Sequence, residues 1–386
     1  MIERVSLVNF KNHADTQIEL GRLTALIGPN SSGKTNVLQA VLNANRLLFE
    51  SVRVIFGGDE GLNVLVRNSQ DSIGIELNGE GGATNDVSEI KPWSISVVLK
   101  KKVSEGGHKR WMPNITWKWG DQDDGFTDLS DAWSHPIGYR APREFIQDVG
   151  RIRYLKLVGD NLKTPSYRDT TQPRMDSDGS GIATVIAYLM ISERERFTKL
   201  VESLRSVVPD VRQVRIRPAE ILMSESRSVT VDDKRMSFTD ERKVVGDELV
   251  FDMVGVQEVP ASSVSEGTLL ALGLLTLLWS PDCPNLVLLD DIEQGLHPRA
   301  QRELIAQLRK ILEQRPELQI VLTSHSPYIV DELGADEVWL LATDEEGVAQ
   351  ARRLSDHPDA ERALEVLTTG EFWSAEGEDW VVADGK

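Results

Sequence analysis

The chain has 386 residues, 40% of them hydrophobic, which is enough for one large domain or two to three smaller ones with a sizeable core. Its net charge of −18 argues against a surface that grips nucleic acid throughout, because such affinity comes from neutralising phosphates with basic side chains. The single cysteine, Cys283, excludes an internal disulfide and indicates a cytoplasmic setting, and the longest apolar stretch, residues 269–279, is too short to span a membrane.

The N-terminal region, residues 1–60, predicts the start of an α/β core. Residues 2–8 and 15–20 read as strands, and an apolar run at 23–27 leads into a glycine-rich loop. Residues 36–50 have the apolar spacing of a helix. Strand, loop and helix therefore follow one another.

The middle of the chain contains two regions with different sequence patterns. Residues 61–150 contain short alternating segments separated by glycine, asparagine and aspartate, which predicts an antiparallel β insert. Residues 151–260 predict a helical lobe of two helices with a charged break near 193–195, followed by short strands over 211–259. Sustained heptads are missing, so the sequence does not predict long coiled-coil arms.

From residue 261 to 345 helices alternate with buried strands, which is typical of an α/β fold with a largely parallel sheet. Residues 346–386 form an acidic C-terminal tail, for which a solvated segment and a docking segment carrying Phe372, Trp373 and Trp380 are both open. The predicted fold is therefore α/β, with a mixed or parallel sheet core, an antiparallel β insert and a helical lobe.

The segment GPNSSGKT at residues 28–35 matches the pattern G-x-x-x-x-G-K-[ST] between a predicted strand and helix, the context that the motif requires. In such a loop backbone N–H groups bind phosphate oxygens, Lys34 reaches the β- and γ-phosphates, and Thr35 offers its hydroxyl to Mg²⁺. We therefore predict a site for ATP and Mg²⁺ formed by Asn30, Ser31, Ser32, Gly33, Lys34, Thr35 and Asn36.

Two carboxylates, Asp290 and Asp291, end the apolar strand at residues 286–289. A buried strand carries Asp290 to the edge of the sheet where ligands bind in open α/β folds. We predict that Asp290 holds Mg²⁺ together with Thr35, and that Asp291 orients or deprotonates the attacking water. An ordinary acidic turn is the alternative, and the neighbouring phosphate loop disfavours it.

His325 follows the next buried strand, residues 319–323, so its imidazole is predicted to lie near the γ-phosphate and donate a hydrogen bond to it. The alternative is a loop histidine that caps the following helix. The order of the motifs favours the first interpretation.

The residues Ser265, Glu266 and Gly267 begin an apolar helix. Ser265 is a good N-cap residue, and this alone explains its position. The same helix start can also direct N–H groups and a hydroxyl at an anion. Because the loop at 28–35 already provides one phosphate cradle, this second one would serve the γ-phosphate of a partner subunit.

In this order, the segments VNFKNH at residues 8–13, GPNSSGKT, SEGT, LVLLDDIEQGLHP and LTSHSP resemble the RecF/SMC/OLD-like ABC ATPases, including compact prokaryotic "AAA family ATPase" proteins. The resemblance covers residues 1–50 and 175–345. It implies a P-loop NTPase of the ABC-ATPase head type, in which ATP lies between two subunits and is capped by Ser265, Glu266 and Gly267 of the opposing one. It also implies that Lys11 and the adjacent Asn12 touch the nucleotide and that His297 lies near the dimer interface.

One departure from the family concerns position 291, where relatives usually carry glutamate. Aspartate is one methylene shorter, and a misplacement of about 1 Å can cost on the order of 100-fold in rate. We therefore expect slow hydrolysis, or help from Glu293. The equivalent of the family's glutamine loop is open, with residues 139–143 and Gln147 as candidates.

Two biological roles are consistent with the sequence. In the first, a homodimer or higher even oligomer controls a separate effector, such as a nuclease, in prokaryotic anti-phage defence; the segment after His325 is too short for the TOPRIM nuclease domain of OLD-type relatives. In the second, the protein is a DNA-repair ATPase that clamps DNA through basic residues at 100–102, 109–110 or 212–217, although solvated strand edges explain these better. The β insert and the GLHP element disfavour a transporter ATPase.

Overall fold

The computed structural model describes residues 1–81, 90–103, 109–126, 133–150, 152–167, 170–231 and 234–383. The chain divides into two compact units. The first comprises Met1–Tyr154, Pro284–Glu293 and Leu312–Lys386, and the second comprises Leu155–Cys283 and Gln294–Ile311. The N-terminal region, the predicted β insert and the C-terminal segment therefore belong to the same unit, although they are far apart in the sequence.

The first unit is built on a twelve-stranded sheet with the order β7-β6-β5-β4-β1-β2-β15-β14-β3-β13-β12-β8. The strands are β1 Ile2–Phe10, β2 His13–Glu19, β3 Leu23–Ile27, β4 Ser72–Gly81, β5 Lys91–Val103, β6 Lys109–Trp119, β7 Gln122–Phe126, β8 Ile152–Leu155, β12 Leu286–Leu289, β13 Gln319–Ser324, β14 Val338–Thr343 and β15 Ala349–Arg353.

The centre of this sheet is parallel: β12 pairs with β13, and β13 and β14 each pair with β3. The residues of β3, β12 and β13 are buried throughout, as expected for strands that are covered on both faces. The predicted α/β fold with a mixed sheet is confirmed, and the predicted strand at 286–289 has the observed bounds.

The predicted β insert is antiparallel, but it does not form a separate layer. β4 pairs with β1, and β5, β6 and β7 follow in antiparallel order, so that these strands extend the main sheet. Their side chains alternate between buried and more exposed positions, and Trp93, Trp117 and Trp119 surround the ring of Phe145. This apolar face joins the insert to the core of the first unit.

The helices of the described residues are mostly short. Those of the first unit are α1 Lys34–Arg46, α2 Val52–Phe56, α3 Gly58–Leu65, α4 Arg143–Val149, α10 Pro327–Val330, α11 Ala360–Ala363, α12 Thr369–Glu376 and α13 Asp379–Ala383. The second unit contains α5 Gly159–Lys163, α6 Ile182–Ser192, α7 Arg194–Val207 and α8 Glu266–Trp279, and α9 Pro298–Gln314 begins in it. In the part of the chain that is described, none of these helices has the length and apolar character needed to cross a bilayer.

The second unit confirms the two predicted helices, since Glu193 separates α6 from α7. The prediction of short strands was wrong. β9 Val211–Val231 and β10 Lys234–Met253 pair with each other along their full length, and β11 Val256–Pro260 adds a third strand. Pro218 and Gly246 interrupt the residue alternation without ending the strands, so the sequence pattern looks like several short segments.

Of the two alternatives left open for the C-terminal segment, the solvated tail does not hold for residues 346–383, which pack within the first unit. β15 pairs with β14, and Phe372 and Val381 are only 1% and 2% exposed. The carboxylate of Asp331 accepts hydrogen bonds from Thr368 Oγ1 at 2.6 Å and Gly370 N at 3.1 Å, which fixes the start of α12. Burial of apolar side chains therefore outweighs the acidity of this segment.

Candidate nucleotide-binding site

The glycine-rich loop connects β3 to α1. Gly28 and Gly33 have φ values of 148° and 104°, which L side chains rarely adopt, and a Cβ atom at Gly33 would lie 2.6 Å from His13 Nε2. Lys34 is buried, and its Nζ donates to the carbonyl oxygens of Gly28 and Pro29, each at 2.8 Å. Burial lowers the pKa of Lys34, while nearby carboxylates, Asp291 first among them, act to raise it.

The predicted metal pair lies together. Asp290 directly follows β12, and its Oδ1 accepts hydrogen bonds from Thr35 Oγ1 at 2.9 Å and Thr323 Oγ1 at 2.8 Å. Its Oδ2 accepts from the hydroxyl of Tyr154 at 3.0 Å. The sequence did not predict the contacts of Thr323 and Tyr154, because only the order of the strands in the sheet brings these residues to Asp290.

Asp291 and His325 line one cavity together with residues of the glycine-rich loop at 28–35, the phosphate loop. Asp291 has a left-handed backbone with φ of 52°, and its N–H donates to Thr323 Oγ1 at 2.8 Å. Its Oδ1 lies 3.9 Å from His325 Nε2. The cavity has a volume of about 140 Å³ and is lined by Asn30, Ser31, Gly33, Lys34, Thr35, Asn36, Asp291 and His325.

Glu293, the alternative to Asp291, has a different environment. Its Oε1 accepts the backbone N–H of His325 at 2.8 Å, and its Oε2 is buried without a hydrogen-bond partner among the described residues. This carboxylate therefore holds the loop that carries the histidine.

Lys11 and Asn12 lie against the start of α1, in the turn between β1 and β2. Lys11 Nζ donates to Asn36 Oδ1 at 3.0 Å and also to the side chain of Gln39. Asn12 accepts from Asn36 Nδ2 at 2.8 Å and donates to the carbonyl oxygen of Ser31 at 3.1 Å. The structure thus brings both residues to the loop, as the predicted nucleotide contact requires; Gln39 was missed.

His13 is a further residue that the predictions missed. It is fully buried, its Nε2 donates to the carbonyl oxygen of Gly33 at 3.2 Å, and its Nδ1 accepts from Thr16 Oγ1 at 3.0 Å. Burial lowers the pKa of His13 to about 4. A neutral imidazole therefore supports the backbone of the phosphate loop.

Because His13 is buried and neutral, the protein should be less stable in mild acid. The pKa of His13 is about 4 in the folded state against an ordinary value of 6.5, so its contribution to stability is complete above pH 6.5 and is lost as the pH falls towards 4. At a pH of about 5 the loss should be about 2 kcal/mol in the free energy of unfolding. The test is urea unfolding of the wild type and of His13→Asn at neutral pH and at about pH 5. Between these two pH values the free energy of unfolding should fall by about 2 kcal/mol less in His13→Asn than in the wild type.

His135→Asn is the matched control for the substitution itself, because His135 is exposed. Equal pH dependences for wild type and His13→Asn would contradict the buried, neutral state of His13.

The residues present fit Mg²⁺ and a triphosphate. Hydroxyl and carboxylate oxygens are ligands that Mg²⁺ prefers, and it is usually bound by one or two carboxylates plus substrate phosphates. Among the described residues, no group of three or more His, Cys, Asp or Glu side chains is arranged to hold a metal ion. Ser32 Oγ is buried without a partner among the described residues, which suits a phosphate oxygen.

The serine-glycine motif belongs to the second unit. Ser265 is the N-cap of α8, since its Oγ accepts from Thr268 N at 3.3 Å, so the capping interpretation is confirmed. A Cβ atom at Gly267 would lie 2.1 Å from the carbonyl oxygen of Gly295, which brings the helix start against the loop that contains exposed His297. Capping of α8 leaves open whether Ser265 also faces a partner's phosphate, and that role stays a prediction.

The glutamine-loop assignment of residues 139–143 and Gln147 stays a prediction. Tyr139 is 81% exposed, and Gln147 lies in α4. The side chain that contacts Asp290 from this part of the chain is Tyr154, in β8 beside β12. An aromatic residue in a short strand carries no distinct sequence signal for such a contact.

Two family models match the chain. Residues 1–92 match the model described as "AAA ATPase domain", and residues 193–331 match the model described as "AAA domain, putative AbiEii toxin, Type IV TA system". These two ranges contain the phosphate loop, Ser265, Asp290 and His325.

Three curated relatives share about a third of the residues over short segments. Septu protein PtuA from Bacillus thuringiensis is 34% identical over 73 residues, 19% of this chain and 18% of the relative. The DNA replication and repair protein RecF of Paenarthrobacter aurescens is 33% identical over 92 residues, 22% and 23% of the two chains. The DNA double-strand break repair Rad50 ATPase of Methanopyrus kandleri is 35% identical over 82 residues, 17% and 9%. The matches thus span less than a quarter of each relative.

Solved structures of SMC head domains align with most of the chain. The head domain from Thermotoga maritima has a TM-score of 0.46 at 15% identity and covers 91% of this chain and 98% of that one. A SmcHead bound to the C-winged helix domain of ScpA has a TM-score of 0.49 at 13% identity, with 95% and 99% covered. Because these scores are below 0.5, they carry no argument; the motifs, their geometry and the matches to the AAA domain models, to RecF and to Rad50 support a RecF/SMC-like ABC ATPase.

Proposed function

We propose that the chain binds Mg·ATP between two copies arranged head to head and uses binding and slow hydrolysis as a switch that controls a separate effector protein. The observation that carries this proposal is the arrangement of the site. Thr35 is hydrogen-bonded to Asp290 beside Lys34, and Asp291 and His325 share a cavity with this loop.

Each residue has a role that follows from its contacts. Lys34 exchanges its bonds to the loop carbonyls for bonds to the β- and γ-phosphates, while the loop N–H groups bind phosphate oxygens. Thr35 and Asp290 would hold Mg²⁺, which would supply positive charge beside the phosphates. His325 donates a hydrogen bond towards the γ-phosphate.

Slow turnover follows from the carboxylate that is available for the attacking water. Asp291 lines the cavity, but its side chain is one methylene shorter than the glutamate usual in the family. Glu293 holds the backbone N–H of His325, which makes it a weaker candidate for the water. A site that binds nucleotide firmly and hydrolyses it slowly serves a switch better than a motor.

We infer a partner subunit because one chain offers two anion-binding elements. The loop at 28–35 forms the first, and the start of α8 with Ser265, Glu266 and Gly267 forms the second. In a head-to-head dimer, or a higher even oligomer, the second element of each copy caps the γ-phosphate held by the other. His297, in the loop next to Gly267, lies near that interface.

For the biological role we favour control of an effector, such as a nuclease, in anti-phage defence. This is supported by the family resemblance, by the net charge of −18, by the match of residues 193–331 to the model described as "AAA domain, putative AbiEii toxin, Type IV TA system", and by the match to a Septu protein PtuA.

A DNA-repair role is the second candidate, favoured by the matches to proteins named RecF and Rad50. Several of the basic residues that it needs have partners within the chain. Lys109 forms an ion pair with Asp71 at 2.9 Å, and Arg217 forms one with Glu248 at 2.7 Å. These two ion pairs reduce the positive charge available to DNA, whereas Lys101, which lies over the ring of Trp111, keeps its charge.

Duplex DNA binding in the presence of a non-hydrolysable ATP analogue separates the two roles. We expect little affinity for DNA between about 50 and 200 mM salt, because the net charge of the chain is −18. Each phosphate contact contributes about −0.9 to the slope of log K against log salt, so the slope counts the contacts. Affinity with a slope steeper than about −4 would instead favour the DNA-repair role. Copurification from the native host of a nuclease that dissociates with the nucleotide state would support the effector role.

A further inference from the structure

Asp290 accepts hydrogen bonds from three hydroxyl groups that come from separate parts of the chain. Thr35 and Thr323 donate to Oδ1, and Tyr154 donates to Oδ2 at 3.0 Å. Thr35 belongs to the phosphate loop, and Thr323 lies in the strand next to β12. Tyr154 belongs to no motif of the nucleotide site, so its contact with Asp290 needs an explanation of its own.

Strand order brings the tyrosine to this place. β8 is the last strand of the sheet and lies beside β12, and Asp290 follows β12 directly. Tyr154 and Asp290 are 136 residues apart in the sequence. The hydroxyl therefore reaches the carboxylate from the side opposite β13, which carries Thr323.

The phenol is suited to act as a donor. A tyrosine hydroxyl keeps its proton at neutral pH, and Tyr154 uses that proton in the hydrogen bond to Oδ2 of Asp290. The final torsion of an aspartate is broad, and donors on both carboxylate oxygens restrict it. Removal of one donor widens the range of carboxylate orientations.

We propose that Tyr154 is a positioning residue, whose hydrogen bond to Oδ2 holds Asp290 in the orientation that Mg²⁺ requires. This rests on the proposed function, since it presupposes a metal site at Thr35 and Asp290. Mg²⁺ demands nearly ideal octahedral geometry, so its affinity depends on the orientation of the carboxylate. Tyr154 itself contacts neither the metal nor the nucleotide.

The test uses Tyr154→Phe, which keeps the ring and removes the hydroxyl, and Mn²⁺ as a probe for the metal site. The full chain is saturated with a non-hydrolysable ATP analogue, and free Mn²⁺ is measured by electron paramagnetic resonance. We expect the dissociation constant of Mn²⁺ to rise about tenfold, the lower end of the effect of removing a partner of a metal ligand. The affinity for the analogue in EDTA should remain that of the wild type.

Tyr167→Phe is the matched control, because Tyr167 is 42% exposed and lies in the second unit. Its Mn²⁺ affinity should equal that of the wild type. Unchanged Mn²⁺ affinity in Tyr154→Phe would overturn the positioning role, and so would parallel losses of thermal stability and of analogue affinity in EDTA. A wild-type protein that binds no Mn²⁺ with the analogue would overturn the metal site itself, and with it the proposed function.

Discussion

Lys34→Ala should abolish ATP binding by the chain. The variant loses the ammonium group that pairs with the β- and γ-phosphates, and each such charge-assisted hydrogen bond is worth roughly 1.5–3 kcal/mol. Two of them correspond to a loss of affinity of at least about 100-fold. Calorimetric titration with ATP and Mg²⁺ measures the effect directly.

The fold should survive this change. Burial of the Lys34 ammonium costs free energy, as its lowered pKa shows, so removing this group should not weaken folding. Circular dichroism and the urea midpoint check this. Lys243→Ala removes a lysine with a 69% exposed side chain in the second unit and should bind ATP like the wild type. Retention of full affinity by Lys34→Ala would refute the assignment of the phosphate loop.

Ser265→Arg should block ATP-dependent dimerisation and leave ATP binding by the monomer intact. Ser265 lies in the second unit, whereas Lys34, Thr35 and Asp290 lie in the first. A large side chain at the helix start excludes the partner's γ-phosphate from its N–H groups. Analytical ultracentrifugation with a non-hydrolysable analogue should show only monomers, and turnover should fall below detection.

Two further variants separate the role in dimerisation from the helix cap that the structure shows. Ser265→Asp retains an N-cap side chain, so α8 should keep its stability, but the added negative charge opposes a phosphate and should also prevent dimerisation. Ser265→Thr keeps both the cap and the hydroxyl and should dimerise. If dimers and turnover persist in both Ser265→Arg and Ser265→Asp, the trans role of this serine is wrong.

The parts of the site that the sequence predicted are local patterns. The loop at 28–35 and the acidic end of β12 each combine an apolar strand with polar residues directly after it, and the periodicity of a buried strand is visible without a structure. The same holds for His325 after β13. Parallel strands end at one edge of a sheet, so these three segments were expected to meet there.

The missed residues lack such local patterns. His13 contacts Gly33 from 20 residues away, and Tyr154 contacts Asp290 from 136 residues away. Both are isolated polar groups in strands, where a sequence pattern predicts only burial. The full-length pairing of β9 with β10 was missed for a related reason, since Pro218 and Gly246 resemble turn residues unless the partner strand is known.

The sequence by itself determined which segments suit phosphate and Mg²⁺, because the phosphate loop, the two aspartates and the serine-glycine helix start are contiguous segments with residue types suited to these ligands. Only the tertiary structure decided how that chemistry is supported. Strand order selects the hydroxyls on Asp290, places a neutral histidine under the loop and folds the acidic C-terminal segment into the first unit. These contacts join residues far apart in the chain, and their stability comes from burial in a shared core, which no local pattern encodes.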